Sequence, residues 1–164
     1  MSSPRGVPRP ARVLRCEPAS FSDAAATMIV DFIAGAIRRR GHCALALTGG
    51  ATPRPVYARM AVPPLAERIE WDHVTVYFGD ERCVPPDHPE SNYRMAHEVL
   101  LQRVPVPGAS VHRMEGERAD RDAAARDYGR LLPDRLDVLL LGMGADGHTA
   151  SLFPHSPALA ERAR

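Results

Sequence analysis

Residues Leu139 to Pro154 read LLLGMGADGHTASLFP, and the fold is decided there. The apolar run Val138 to Leu141 has strand length and ends in glycine. Without alternating polar residues, it reads as a strand buried on both faces, as in a parallel sheet. It opens into Gly142, Gly144 and Gly147, with Asp146, His148, Thr149 and Ser151 close by. Ligands of open α/β sheets sit beyond the carboxyl ends of the strands, so this is the first place to look for chemistry. The glycines also fit G-x-G-x-x-G, but that dinucleotide fingerprint needs a following helix and an acidic residue about 20 positions on. Pro154 interrupts too soon, and no further strand follows to carry the acid.

Working outward, the preceding chain repeats the theme. Cys43 to Leu47 (CALAL) is a short apolar strand ending in Thr48-Gly49-Gly50-Ala51-Thr52-Pro53. Proline suits a helix's first turn, so a helix is expected from Pro53. Paired glycines before a helix start make an anion site, because the backbone can approach the ligand and the helix dipole favours negative charge. The plainer alternative is an ordinary turn with Thr52 as N-cap. Val74 to Phe78 (VTVYF) is the next strand and ends in Gly79-Asp80-Glu81-Arg82, three charges able to face the same crevice. A proline-rich loop follows, and then a helix with Ser91 as N-cap and Met95, Val99 and Leu100 inward.

Phe21, Ala25, Met28, Phe32, Ile33, Ala36 and Ile37 recur at helical spacing, predicting a helix that Ser20 and Asp23 start as a capping pair and Gly41 ends. Val62-Pro63-Pro64 breaks the helix after Pro53, and Val111 to Met114 reads as a weak strand. Asp120 to Leu132 reads as a helix with Ala124, Tyr128, Leu131 and Leu132 as its apolar stripe. Alternation of helix and strand argues an α/β domain with a mainly parallel sheet and helices on both faces. Three strand ends then bring the Gly49, Asp80 and Gly144 loops to one edge.

Composition narrows the chemistry. At 164 residues, 45% hydrophobic and 25% charged, the chain suits one soluble domain. A net charge of +1 gives no reason to expect nucleic acid or an acidic membrane surface. No uninterrupted apolar run approaches the roughly 20 residues a membrane span needs. Residues 1–12 carry arginine and proline with no apolar core, which suggests a disordered lead-in to a single domain over 13–164. Cys16, Cys43 and Cys83 have no metal-ligand spacing and fit a reducing, cytoplasmic compartment. The sequence contains no lysine, so no Schiff base or P-loop lysine is available and arginine must hold any phosphate.

LTGGATP (Leu47 to Pro53), WDHVTVYFGDER (Trp71 to Arg82), PESNYR (Pro89 to Arg94) and the opening stretch closely resemble the 6-phosphogluconolactonases, in order and over most of the chain. The resemblance implies a Rossmann-like α/β fold. The activity it implies is hydrolysis of 6-phospho-D-glucono-1,5-lactone to 6-phosphogluconate, in the oxidative pentose phosphate pathway, with neither metal nor organic cofactor. It implies His148 as general base, a role open to a neutral imidazole near physiological pH, with Asp146 orienting it. Gly49, Gly50 and Thr52 match the phosphate-side loop, Arg82 adds a forked cationic donor, and Asp80 and Asn92 line the sugar side. Backbone N–H groups around Gly144 are candidates for an oxyanion site.

Two departures are expected to matter. Family members continue well past the region equivalent to Arg164, and that portion supplies further strands and a basic residue for the phosphate. The sheet is therefore expected to be incomplete, with an exposed apolar edge. Ala51 also stands where serine is common. Two other readings remain. A non-catalytic sugar-phosphate binding module, or an inactive fragment, needs the Gly49 loop and Arg82 but not His148. A glucosamine-6-phosphate deaminase-like isomerase is disfavoured, because Phe153 replaces the glutamate those enzymes carry before the closing proline and Arg82 replaces their tyrosine.

Overall fold

The structure, a computed structural model, describes residues 13–161. The lead-in expected over 1–12 lies outside the described residues. Helix α1 (Phe21–Arg40) precedes strand β1 (Cys43–Leu47), followed by α2 (Pro53–Met60), β2 (Val74–Phe78), α3 (Asn92–Val99), α4 (Arg121–Leu131) and β3 (Val138–Leu139). The strands form one sheet in the order β2-β1-β3, with both pairings parallel. Parallel neighbours need long crossovers, and the helices supply them. The carboxyl ends of all three strands therefore meet at one edge.

Alternation along β1 divides the interior. Cys43, Leu45 and Leu47 join the main core with Val74, Val76 and Phe78 of β2. The same core takes Ile29, Val30, Ile33 and Ile37 of α1, Val56, Tyr57 and Met60 of α2, and Ala96 and Val99 of α3. Ala44, Ala46 and Tyr77 face the other way, against Leu132 and Leu136 beyond α4. Side chains of a strand alternate between faces, so five consecutive apolar residues are buried only because both faces are covered.

Gly41 ends α1 in the left-handed region at φ 77°, its N–H donating to Ile37 O, as the sequence predicts. Ser91 caps α3, its hydroxyl accepting from Arg94 N at 3.1 Å.

Several expectations fail. Ser20 does not cap α1; its hydroxyl donates to Glu17 O, because a 3-10 turn over Pro18–Ser20 already leads into the helix. The buried face of α1 is Ala26, Ile29, Val30, Ile33, Ala36 and Ile37, while Phe21, Met28 and Phe32 are exposed. By length and apolar content this helix meets the measure for crossing a membrane, which the count of uninterrupted runs overlooked because Asp23 and Asp31 divide it. Its inner face instead packs on the sheet.

Val111 to Met114 forms no strand. Val111 makes a single parallel bridge to Val76, and His112 N donates to Val76 O. The strand of the opening stretch is not buried on both faces either. Val138 is buried, but Leu139 is 48% and Leu141 54% exposed. The physical reason is position: among the described residues β1 is the only strand paired with β3, and the ladder ends where Leu140 N donates to Ala46 O.

Candidate active site

Each strand end is fastened differently. Thr48, just after β1, is held by Tyr57 of α2, whose buried hydroxyl accepts from Thr48 N and donates to Thr48 O, both at 2.9 Å. At the end of β2, the Tyr128 hydroxyl accepts from Phe78 N at 2.8 Å and donates to Phe78 O at 2.9 Å. Burial pushes the Tyr57 hydroxyl well above its ordinary value and that of Tyr128 to about 12, so both remain protonated and able to donate. After β3 no tyrosine plays this part among the described residues. There the Thr149 hydroxyl donates to Gly142 O at 2.9 Å and closes the loop on itself.

Between these ends lies a cavity of about 470 Å³. All of Gly49, Gly50, Thr52, Asp80, Arg82, Asn92, Gly144 and His148 line it, drawn from the three loops and the start of α3. Leu141, Met143 and Ala150 complete the wall on the β3 side. The distance between the Gly49 turn and the imidazole is thus the width of one small cleft. Asp146 stands behind His148 rather than in the wall.

The Gly49 turn presents unused donors. The backbone N–H groups of Gly49, Gly50, Ala51 and Thr52 bond to no described residue, and Thr52 makes no side-chain cap. The plainer N-cap role for Thr52 is therefore not realised. Gly50 adopts φ 102°, which favours glycine. Gly49 is required by contact: a Cβ there would lie 1.8 Å from Asn92 Oδ1. The Arg82 guanidinium has no carboxylate partner among the described residues and lies at the cleft's exposed rim. Backbone donors beside a helix start, together with a forked permanent cation, suit a phosphate.

Glu81 departs from expectation. It does not face the cleft with Asp80 and Arg82. Its carboxylate accepts from Asn92 N at 2.7 Å, Tyr93 N at 2.9 Å and Ser91 Oγ at 3.1 Å, capping the start of α3. It thereby holds Asn92 against the cleft, where the amide donates to Asp80 O at 3.1 Å and Asp80 Oδ1 at 3.2 Å.

His148 is held on three sides. Its Nδ1–H donates to Asp146 Oδ1 at 2.5 Å, and its backbone N–H reaches the same oxygen at 3.2 Å. Those two bonds hold the Asp146 carboxyl below its ordinary value, with the imidazole the larger cause. An ionised carboxylate on Nδ1 fixes the neutral ring's tautomer and leaves the lone pair on Nε2. The Phe153 ring lies 4.4 Å away, centroid to centroid. Gly144 supports the ring from beneath, since a Cβ there would be 2.2 Å from Cε1 and Nδ1.

The backbone N–H of Gly144 itself is not free for an oxyanion. It donates to His148 O at 2.8 Å, because the loop doubles back to bring the imidazole over this glycine. Sequence reasoning names Ser151 and Phe153 in this stretch but foresees neither one's contact in the site. Ser151 Oγ donates to Asp80 Oδ2 at 2.9 Å, a contact between residues 71 apart that no local pattern signals.

The family described as Glucosamine-6-phosphate isomerases/6-phosphogluconolactonase matches residues 17–164. The chain is 42% identical over 137 residues to the 6-phosphogluconolactonase of Synechocystis, covering 77% of this chain and 55% of that protein. It is 40% identical over 147 residues to the Nostoc 6-phosphogluconolactonase, covering 84% of this chain and 60% of that one. Among solved structures, the 6-phosphogluconolactonase of Trypanosoma brucei superposes with a TM-score of 0.77 at 34% identity, covering 92% of this chain and 65% of its own. The chain thus spans between half and two thirds of the length of these relatives.

Proposed function

We propose a lactonase role from a plain premise: this chain belongs to the family of glucosamine-6-phosphate isomerases and 6-phosphogluconolactonases. The substrate is 6-phospho-D-glucono-1,5-lactone, and the single α/β domain over 13–164, in the cytoplasm, hydrolyses it to 6-phosphogluconate. The observation that carries this reading is convergence: a donor-rich diglycine turn, an arginine without a carboxylate partner among the described residues and a carboxylate-oriented imidazole line one cleft.

The phosphate sits on the N–H groups and hydroxyl of Gly49 to Thr52, with Arg82 at its outer oxygens. Asp80 and Asn92 bound the sugar. His148 Nε2 takes a proton from water as that water attacks the lactone carbonyl. The tetrahedral oxyanion then collapses, the bond from the former carbonyl carbon to the ring oxygen breaks, and the imidazolium returns its proton to that oxygen. Asp146 stays ionised throughout and stabilises the imidazolium, as the carboxylate does in other histidine-based hydrolases. Gly144 contributes by having no side chain, which lets the imidazole settle over it.

The test is lactone consumption above the spontaneous background. The wild type is expected to accelerate hydrolysis, and His148→Ala to lose roughly 10²- to 10⁴-fold of that acceleration. The variant should still bind 6-phosphogluconate through the Gly49 turn. Equal rates for the two proteins reject the base assignment. Binding without any acceleration by the wild type favours a sugar-phosphate binding module instead.

A further inference from the structure

Among the described residues, the loop that carries His148 leaves its own neighbourhood through a single side-chain hydrogen bond. Over residues 142–156, among the described residues, only Ser151 Oγ reaches another part of the molecule, donating to Asp80 Oδ2 at 2.9 Å. The remaining side-chain bonds stay local, as with Thr149 to Gly142 O and His148 to Asp146. Packing offers little else, because Leu152 and Phe153 are both nearly half exposed.

The bond sits at a telling place. Thr149 and Leu152 pair across a tight turn, and Ala150 within it adopts φ 49°. That left-handed conformation costs an L-residue with a Cβ, so the turn needs outside contacts to stay closed. Asp80, the acceptor, is itself fixed by the Asn92 amide. The Asn92 amide in turn fills the space that a side chain at Gly49 would need. A continuous line therefore runs from the third strand end through the second to the first: Ser151, Asp80, Asn92, Gly49.

We infer that Ser151 is a positioning residue, whose bond to Asp80 sets the separation between the His148 imidazole and the Gly49–Thr52 turn. This rests on reading His148 as the general base and the turn as the phosphate anchor. A substrate held at its phosphate reaches the base only if the two are correctly spaced. A misplacement of about 1 Å can cost as much as 10²-fold in rate while leaving ground-state binding almost untouched. Asp80 is then a strut between the two halves of the cleft as well as part of its wall.

The experiment compares wild type, Ser151→Ala and Ser151→Thr in lactone hydrolysis and in amide hydrogen exchange over residues 142–153. Ser151→Ala is expected to lower kcat about tenfold with KM within about twofold, since the lost bond acts on geometry rather than on phosphate binding. Its exchange should quicken over 142–153 and nowhere in β1 or β2. Ser151→Thr keeps the hydroxyl and should restore both. Faster exchange with an unchanged kcat overturns the positioning role, and so does an Ala variant identical to wild type in both measurements. A wild type that does not exceed the spontaneous rate overturns the lactonase reading. The exchange data then decide alone whether Ser151 tethers the loop: Asp80→Ala, which removes the same acceptor, is expected to quicken exchange over 142–153 as Ser151→Ala does, and the double variant to add nothing there.

Discussion

The two sides of the sheet are built on different principles. On the β1–β2 side, Leu45, Leu47 and Val76 are completely buried, and burial pushes even the Cys43 thiol up to about 12. The ends of both strands are pinned by tyrosine hydroxyls to their own backbone. On the β3 side, Leu139 and Leu141 are half exposed and Met143 is 83% exposed. There a short list of polar contacts, from Thr149, Ser151, Asp146 and the Gly144 backbone, keeps the shape. The Gly49 turn thus hangs on the rigid half and the imidazole on the lightly held half. Sites are often divided in this way, with a firm scaffold placing one group and a loop of low local stability bringing the other.

The contrast breaks most visibly by truncating one leucine on each side. Leu45→Ala should cost ~2–5 kcal/mol of unfolding free energy, because the cavity lies at the centre of the core. Leu141→Ala should change stability by less than ~0.5 kcal/mol. Urea melts of both variants check this, and equal losses would show that the β3 side is packed after all. A smaller effect sharpens the same comparison. Tyr57→Phe leaves the N–H and C=O of Thr48 without their partner and should cost ~1–3 kcal/mol. It should also weaken 6-phosphogluconate binding, because Thr48 leads directly into the Gly49 turn. Isothermal titration and the melt together test both halves of that expectation.

How much of this was legible beforehand follows the same division. β1 and β2 are runs of apolar residues in a covered sheet, and their ends carry glycine, so both strands and the two loops beyond them could be read directly. Gly41 and Ser91 were legible for local reasons, a left-handed stop and a hydroxyl cap. α1 was found, and Ile33, Ala36 and Ile37 of its buried face with it, but Phe21, Met28 and Phe32 are exposed. Apolar residues occur on two sides of it, and only contact with β1 and α2 selects the Ile29–Ile33–Ile37 face. Val138 to Leu141 looked like a central strand because composition reports apolarity and not whether a neighbour is present. At the site, the loop residues of the cleft were legible because each follows a strand, whereas Asn92, at the start of α3, was reached only through the family resemblance. Glu81 was misread because an acid near a strand end can serve a cleft or a helix N-terminus equally well. The partners of Ser151 and Phe153 were not legible, since they are set by how the loop folds back.

The least effect, and the most local, concerns Asp146. Its carboxylate receives both the ring N–H and the backbone N–H of His148, and both favour the ionised form. Its folded-state value therefore lies below the ordinary one. For a carboxyl shifted in that direction, the stabilisation is fully present above the ordinary aspartate range, near about pH 4, and is lost as pH falls through the folded value. Because the side chain is half exposed, water screens the pair, and the shift should be readable in the loop without moving the urea midpoint. Carboxyl carbon NMR of Asp146 is the measurement. In His148→Ala the larger of the two donors is gone, so the titration midpoint should rise toward the ordinary value but stop short of it, held by the remaining backbone N–H. An unchanged midpoint would mean that the imidazole does not rest on Asp146 in solution, and the lightly held side of the cleft would then lack the contact that fixes which ring nitrogen faces the water.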